Sequence, residues 1–306
     1  MPKYLYPNYE RGDRYLQQLC KRAHRLTHHW RTTRDPYSPG IKLTFGYLGN
    51  IARYVKREKE LGLLNRILIA DHAFAPEQLK NQVYRLGVHN ERIRGLTINH
   101  KRALSASARN QIYSHLLSLQ AHSEFRLMGN YQKFKSNQHS TALVIQPAPV
   151  LIGLQTRKFI DWPAESSVFR SRANSEGHQI FESYKRLEIG IDQNGERSKT
   201  INDGQTFKIP TKQIISAYCP TSMMALNLIL QGIPVTLSAI HPFADQLGLK
   251  IATNSKTEAI NLVYELAIKT TIECKYMKRL EGEMDKFSLH DCTGYNGLQL
   301  SNSKRD

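Results

Sequence analysis

The sequence predicts an α/β fold: two doubly wound, Rossmann-like domains facing a central cleft. Three observations carry that expectation. Short apolar or β-branched runs alternate along the chain with segments of helical period. The alternation occurs twice, once within residues 1–135 and again within 141–285, with a polar joint near 130–140. In both halves a strand-like run passes through a Gly- or Pro-containing turn into a helical pattern, the opening of a βα unit. A length of 306 residues suits two medium domains. Residues 286–306 read as a peripheral tail.

Taken in order, residues 9–30 pattern as a helix with Tyr15, Leu16, Leu19 and Leu26 on its apolar side. Asp35-Pro36 and Ser38-Pro39-Gly40 break the chain. Ile41 to Phe45 is a short strand, followed by the turn Gly46-Tyr47-Leu48-Gly49-Asn50 and the helical segment IARYVKREKELG. Ile67 to Ala70 reads as a buried parallel strand ending in Asp71-His72. Two such strands joined by a helix form a right-handed crossover. Residues 81–104 alternate, as strands or an extended loop, and 104–121 pattern as a helix. In the second half, Ala142 to Gln146 is a strand and Ser167 to Arg170 reads as a strand end. Residues 187–209 suggest loops or a small hairpin. Ile214 to Tyr218 is a strand, and Cys219-Pro220-Thr221-Ser222 turns into an apolar helix over 222–231 that Gly232 closes. Ile233 to Leu237 is the next strand, and 257–285 reads as one long helix.

Charge is the loudest feature of the composition. Lys and Arg number 43 against 26 Asp and Glu, a net +17. Residues 1–110 hold 21 Lys and Arg against 8 Asp and Glu, a balance of +13, so the excess is concentrated in the first third of the chain. That concentration suggests a face meeting a polyanion. No apolar run approaches the roughly 18–20 residues of a membrane span. The start, MPKYLYPNYERGDRYL, lacks the apolar stretch of a signal peptide, so a cytoplasmic protein is expected. Cys20, Cys219, Cys274 and Cys292 are scattered without a CxxC pair, as in reduced intracellular chains. Cys20, His24 and His28 recur every four residues, a spacing that suits zinc, but no fourth ligand lies nearby. A basic helix with its histidines on the polar side is the preferred reading, and no metal is expected.

The chemistry concentrates in IISAYCPTSMMALNLILQGIPVTLSAIHPFADQLG, residues 214–248. A strand delivers Thr221 and Ser222 to the start of a helix, an arrangement suited to phosphate. Upstream, Val168-Phe169-Arg170-Ser171-Arg172 presents two cations, and arginine makes paired hydrogen bonds to phosphate oxygens.

These residues resemble the donor half of GT-B glycosyltransferases, capsule-polysaccharide and phage-encoded members in particular. Thr221, Ser222, Ala225, Leu226, Gly232, Ile233, Pro234 and Val235 match the pattern of that half. Met224 stands where the family has an acid that contacts the donor's ribose. In the first half, Gly46, Tyr47, Asp71, His72, Phe74, Tyr84, Arg85 and Asn90 resemble a series seen in phage-encoded members. The resemblance implies a nucleotide-sugar donor, UDP-linked first of all, held by Gly46, Tyr47, Arg170, Arg172, Tyr218, Thr221, Ser222, Met223 and His241, with no cofactor required. It implies Asp71 as the base that takes the acceptor hydroxyl's proton, with His72 the second candidate.

The acceptor follows from the charge. A basic acceptor-side domain points to double-stranded DNA, and phage enzymes of this kind glycosylate hydroxymethylated bases such as hydroxymethylcytosine. Arg53, Lys56, Arg57, Tyr84 and Arg85 are then expected to contact DNA, and the target base leaves the stack. Two other readings stay open. One is a nucleic-acid-binding phage protein on the same scaffold without transfer, consistent with Met224. The other is a polysaccharide glycosyltransferase.

Overall fold

The fold is α/β, with two mixed sheets and helices packed on them. The computed structural model describes residues 3–5, 17–19, 31–33, 41–45, 67–89, 95–97, 103–132, 140–146, 162–184, 187–191, 197–201, 205–239 and 241–276.

The first sheet contains β1 (Lys3–Leu5), β2 (Arg31–Thr32), β3 (Ile41–Phe45), β4 (Ile67–His72), β5 (Val83–His89) and β6 (Gly95–Thr97). Its core is parallel in the order β2-β1-β3-β4. β5 closes it antiparallel to β4, and β6 pairs antiparallel with β5. The alternating residues after 81 therefore form a strand pair, and β4 runs on through Asp71 and His72.

The second sheet takes β7 (Glu124–Gln132), β8 (Thr141–Ile145), β9 (Gln179–Ser183), β12 (Gln205–Pro210), β13 (Ile214–Cys219), β14 (Val235–Leu237) and β15 (Lys250–Ile251), in the order β12-β7-β9-β8-β13-β14-β15. Its parallel core is β9-β8-β13-β14, the same order by sequence as the first sheet's. β10 (Leu187–Ile191) and β11 (Arg197–Ile201) make a separate hairpin. Sheet membership changes ahead of the polar joint, because β7 already pairs with β9 and β12.

β8 reads TALVI and is buried along its whole length, as a central strand covered on both faces must be. Its alternate residues divide between the two coverings. Ala142 and Val144, with Ile180 and Tyr218, pack beneath helix α2 (Trp162–Ser175) through Phe169 and Ala173. Leu143 and Ile145, with Phe181, Ala217, Cys219, Val235 and Leu237, join the main core. Helices α1 (Ala106–Gln120), α3 (Met224–Leu230) and α5 (Lys256–Thr270) cover that side and touch one another. The short α4 (Ala244–Leu247) follows β14.

Two expected elements differ. Ser167 to Arg170 is not a strand end but the middle of α2. The adjacent apolar pair Val168-Phe169 suggests a strand, yet Val168 is 72% exposed while Ser166 and Ala173 are buried. The helical spacing of the buried positions decides the conformation, and Pro163 sits in the first turn, where a missing N–H costs nothing. The long helix from 257 stops at Thr270, after which β16 (Thr271–Glu273) pairs antiparallel with β5 of the first sheet. Thr270 turns its hydroxyl back to the Leu266 carbonyl, and the β-branched Thr271 and Ile272 suit an edge strand. The chain thus returns from the second sheet to the first. Glu273 fastens that return by accepting hydrogen bonds from the Ser105 N–H (2.5 Å) and hydroxyl (3.1 Å) at the N-cap of α1.

The end of α3 follows its sequence. Gly232 has φ +74°, Ile233 N–H reaches the Leu228 carbonyl and Gly232 N–H the Ile229 carbonyl. Both bonds need the left-handed residue that glycine supplies. The turn 46–50, the segment 51–62 and the tail 286–306 lie outside the described residues, as do all but 17–19 of the expected first helix.

Candidate active site at the strand ends

In open α/β sheets a ligand sits outside the carboxyl ends of the strands where the strand order reverses. The order reverses between β1 and β3 in the first sheet and between β8 and β13 in the second. At the second reversal both strand ends are described. Its strand ends are Gln146, after β8, and Cys219-Pro220-Thr221-Ser222, after β13.

The turn after β13 is held from three sides. Ser222 Oγ accepts from the Met224 N–H at 3.2 Å. The Ser222 carbonyl accepts from the Cys219 thiol at 3.3 Å and from His241 Nε2 at 3.1 Å. His241 Nδ1 in turn accepts from the Phe243 N–H at 3.2 Å. A carbonyl on one nitrogen and an N–H on the other assign the neutral Nε2–H tautomer. His241 is fully buried, so it braces the Ser222 turn rather than facing a sugar. Thr221, Ser222 and Met223 are partly exposed.

Tyr218 and Arg170 belong to a buried polar layer beneath α2. The Tyr218 hydroxyl donates to Glu165 Oε2 at 2.9 Å. Arg170 pairs with Glu182 of β9 at 2.5 Å and donates to Ser166 Oγ at 2.9 Å. Gln146 donates to the other Glu182 oxygen at 3.3 Å. Arg170 is thus bound to a carboxylate from a helix position, not offered from a strand end. Arg172 points to solvent and pairs with Glu176 one turn on, at 2.9 Å. Glu182, Gln146 and Glu165 were not visible as partners in the sequence, because strand register and helix docking bring them there.

Arg170→Ala leaves Glu182 buried without its cation. Breaking a buried pair costs about 3–5 kcal/mol. Arg170 keeps 23% side-chain exposure, so about 2 kcal/mol is expected after solvent screening. A urea midpoint that falls without a change in slope checks this.

Burial, and then the Glu165 carboxylate beside it, raise the Tyr218 phenol above its ordinary 10. Burial likewise pushes the Cys219 thiol up to about 12. Both acids keep their protons in the native state at pH values where the unfolded chain has lost them. The native state is therefore favoured below the ordinary values, and that advantage drains away as pH climbs through 9 and 10. Tm measured from pH 8 to 11 is expected to fall, and Tyr218→Phe to fall less steeply. At pH 7 the same variant loses about 1 kcal/mol with its hydrogen bond.

In the first sheet Asp71 and Arg85 stand directly opposite each other on β4 and β5. Their ion pair measures 2.6 Å, with the Arg85 side chain 3% exposed and that of Asp71 28%. Asp71 Oδ1 also accepts from the His72 N–H at 2.8 Å. A carboxylate has about four lone-pair sites, so both oxygens can accept a further hydrogen bond. The His72 ring lies edge-on to Phe45 at 5.1 Å. Tyr84 is fully buried and also packs edge-on to Phe45, at 6.2 Å. As placed, Tyr84 is a core side chain rather than a stacking surface, and Arg85 serves Asp71 rather than a phosphate. Gly46, Tyr47, Arg53, Lys56 and Arg57 lie outside the described residues. Among the described residues no group of His, Cys, Asp and Glu has metal-site geometry, and no helix is long and apolar enough to cross a membrane.

The two halves of the candidate site touch. The Arg85 guanidinium carbon lies 5.2 Å from the centroid of the Phe243 ring, in the loop after β14.

No protein-family model and no curated protein matches the sequence. Among solved structures, the chain is similar to Thermosulfurimonas dismutans KpsC, beta Kdo 2,4 transferase, at TM-score 0.46 and 11% identity, over 89% of this chain and 92% of that chain.

Proposed function

We propose that this protein is a glycosyltransferase that takes a sugar from a UDP-linked donor. The observation that carries the reading is the run of β13, the Thr221-Ser222 turn, α3, Gly232 and β14 beside the strand-order reversal of the second sheet. The donor lies over that turn, and Asp71, at the carboxyl end of β4, is the base for the acceptor hydroxyl. No metal is required in this reading, in which the Thr221-Ser222 turn meets the departing charge while Arg170 and Arg172 stay with Glu182 and Glu176. In this reading the acceptor side falls within 1–135 and the donor side within 141–285, except that β7 belongs to the donor-side sheet and β16 to the acceptor-side sheet, with 286–306 peripheral.

For the acceptor we propose a hydroxymethylated base in double-stranded phage DNA, modified in the host cytoplasm. The balance of +13 over residues 1–110 supports it. A polysaccharide acceptor is the second reading, favoured by the burial of Tyr84 and Arg85, which removes two expected DNA contacts. Incubation with hydroxymethylated DNA and a panel of UDP-sugars, followed by nucleoside mass spectrometry, tests the choice. A hexosyl adduct supports the DNA acceptor. UDP release without an adduct, together with the absence of salt-sensitive duplex binding, supports polysaccharide. Duplex binding without UDP binding or release supports a non-catalytic DNA binder.

A further inference from the structure

We infer that Arg85 is a positioning residue that ties the Asp71 carboxylate of the first sheet to the Ser222 turn of the second. The inference rests on the glycosyltransferase reading above and extends it to a residue that touches neither substrate. The connection is continuous. Asp71 Oδ2 meets Arg85 Nη2 at 2.6 Å, and the same guanidinium lies over Phe243 at 5.2 Å. The Phe243 N–H reaches His241 Nδ1 at 3.2 Å, and His241 Nε2 reaches the Ser222 carbonyl at 3.1 Å. Arg85, Phe243 and His241 are 3%, 1% and 0% exposed, so this chain of contacts is packed rather than solvated.

The residue type fits the task. A guanidinium is planar, with an edge that hydrogen-bonds a carboxylate and a face that stacks on a ring. An ammonium is a point charge on a flexible stem and does not hold both contacts at once. β5 supplies the Asp71 partner by register, and the loop after β14 supplies the ring. The spacing between base and donor turn is therefore held by a side-chain link in addition to the backbone return of β16 onto β5.

UDP affinity, measured by titration calorimetry on full-length protein, tests the inference. Arg85→Lys and Phe243→Leu are each expected to weaken UDP about 5-fold, although Arg85 lies in the sheet that does not carry the donor turn. The double variant is expected to be no weaker than the weaker single variant, as for residues acting through one contact. Arg85→Lys is also expected to lower kcat beyond its effect on UDP, because it moves Asp71. Thermal unfolding establishes that each variant is folded, and Phe243→Leu decides alone if Arg85→Lys does not fold. Folded variants that bind UDP like the wild type, or single effects that multiply in the double variant, overturn the inference. Wild-type protein that binds no UDP overturns the glycosyltransferase reading and this inference with it, a result seen before any variant is made.

Discussion

Asp71→Asn is expected to abolish sugar transfer, lowering kcat by about 100-fold or more, the usual contribution of a positioned general base. UDP affinity is expected to stay within about 2-fold of wild type. Asparagine keeps the shape of the side chain but only one acceptor oxygen, so either the His72 N–H or the Arg85 guanidinium, which bond different oxygens of Asp71, gives up its acceptor. It loses the capacity to take a proton. The exchange also removes the counter-charge of an arginine only 3% exposed, so Tm falls as well, and kinetics belong well below the new midpoint. Retained transfer removes Asp71 as base. In that event loss of transfer in His72→Asn assigns the proton to the neighbouring imidazole.

The contrast between Asp71 and its partner marks where sequence reading stops. Asp71 is legible because an apolar run of four residues ends on it, and a charged residue ending a buried strand is conspicuous. Arg85 looks like one more cation in a basic segment, since nothing local shows that β5 folds back antiparallel on β4 with those two residues opposite. Tyr84 misleads for the same reason. An aromatic in an alternating, basic stretch suggests an exposed platform, whereas β16 returns from residue 271 to cover that edge of the sheet. The segment from β13 through α3 to β14 is legible almost residue by residue. Its apolar runs are continuous and Pro220, Gly232 and Pro234 punctuate them. Segment 167–170 is not, because four residues are too few to separate a period of 2 from one of 3.6.

Gly129→Ala is expected to be the most damaging single-methyl change in the second sheet. Gly129 lies in β7 between Gln205 of β12 and Ser183 of β9, on the same strand face as Leu127 and Tyr131. A β-carbon there would meet the Glu182 carbonyl oxygen at 1.9 Å and the Phe181 ring at 2.8 Å. The ring is itself fixed, edge-on to Tyr131 at 4.8 Å and to Phe207 at 5.3 Å. Overpacking a tight core costs about 1–3 kcal/mol and occasionally more. The upper end applies here, because the nearest clash is with backbone and no rotamer change relieves it. About 3 kcal/mol lowers Tm by roughly 5 °C in a chain of 306 residues. The backbone origin makes a sharper claim than the loss itself. Phe181→Leu in the same chain removes only the ring contact, so the double variant is expected to unfold no higher than Gly129→Ala alone. Recovery of Tm in the double variant would place the conflict in the aromatic cluster and leave β7 free to shift against β9. Since Glu182 is the strand residue that holds Arg170 and Gln146 at the carboxyl end of this sheet, displacing its carbonyl is expected to loosen the polar layer under α2 as well. Gly129→Ala is therefore expected to reduce, in the same experiment, the further destabilisation that Arg170→Ala causes.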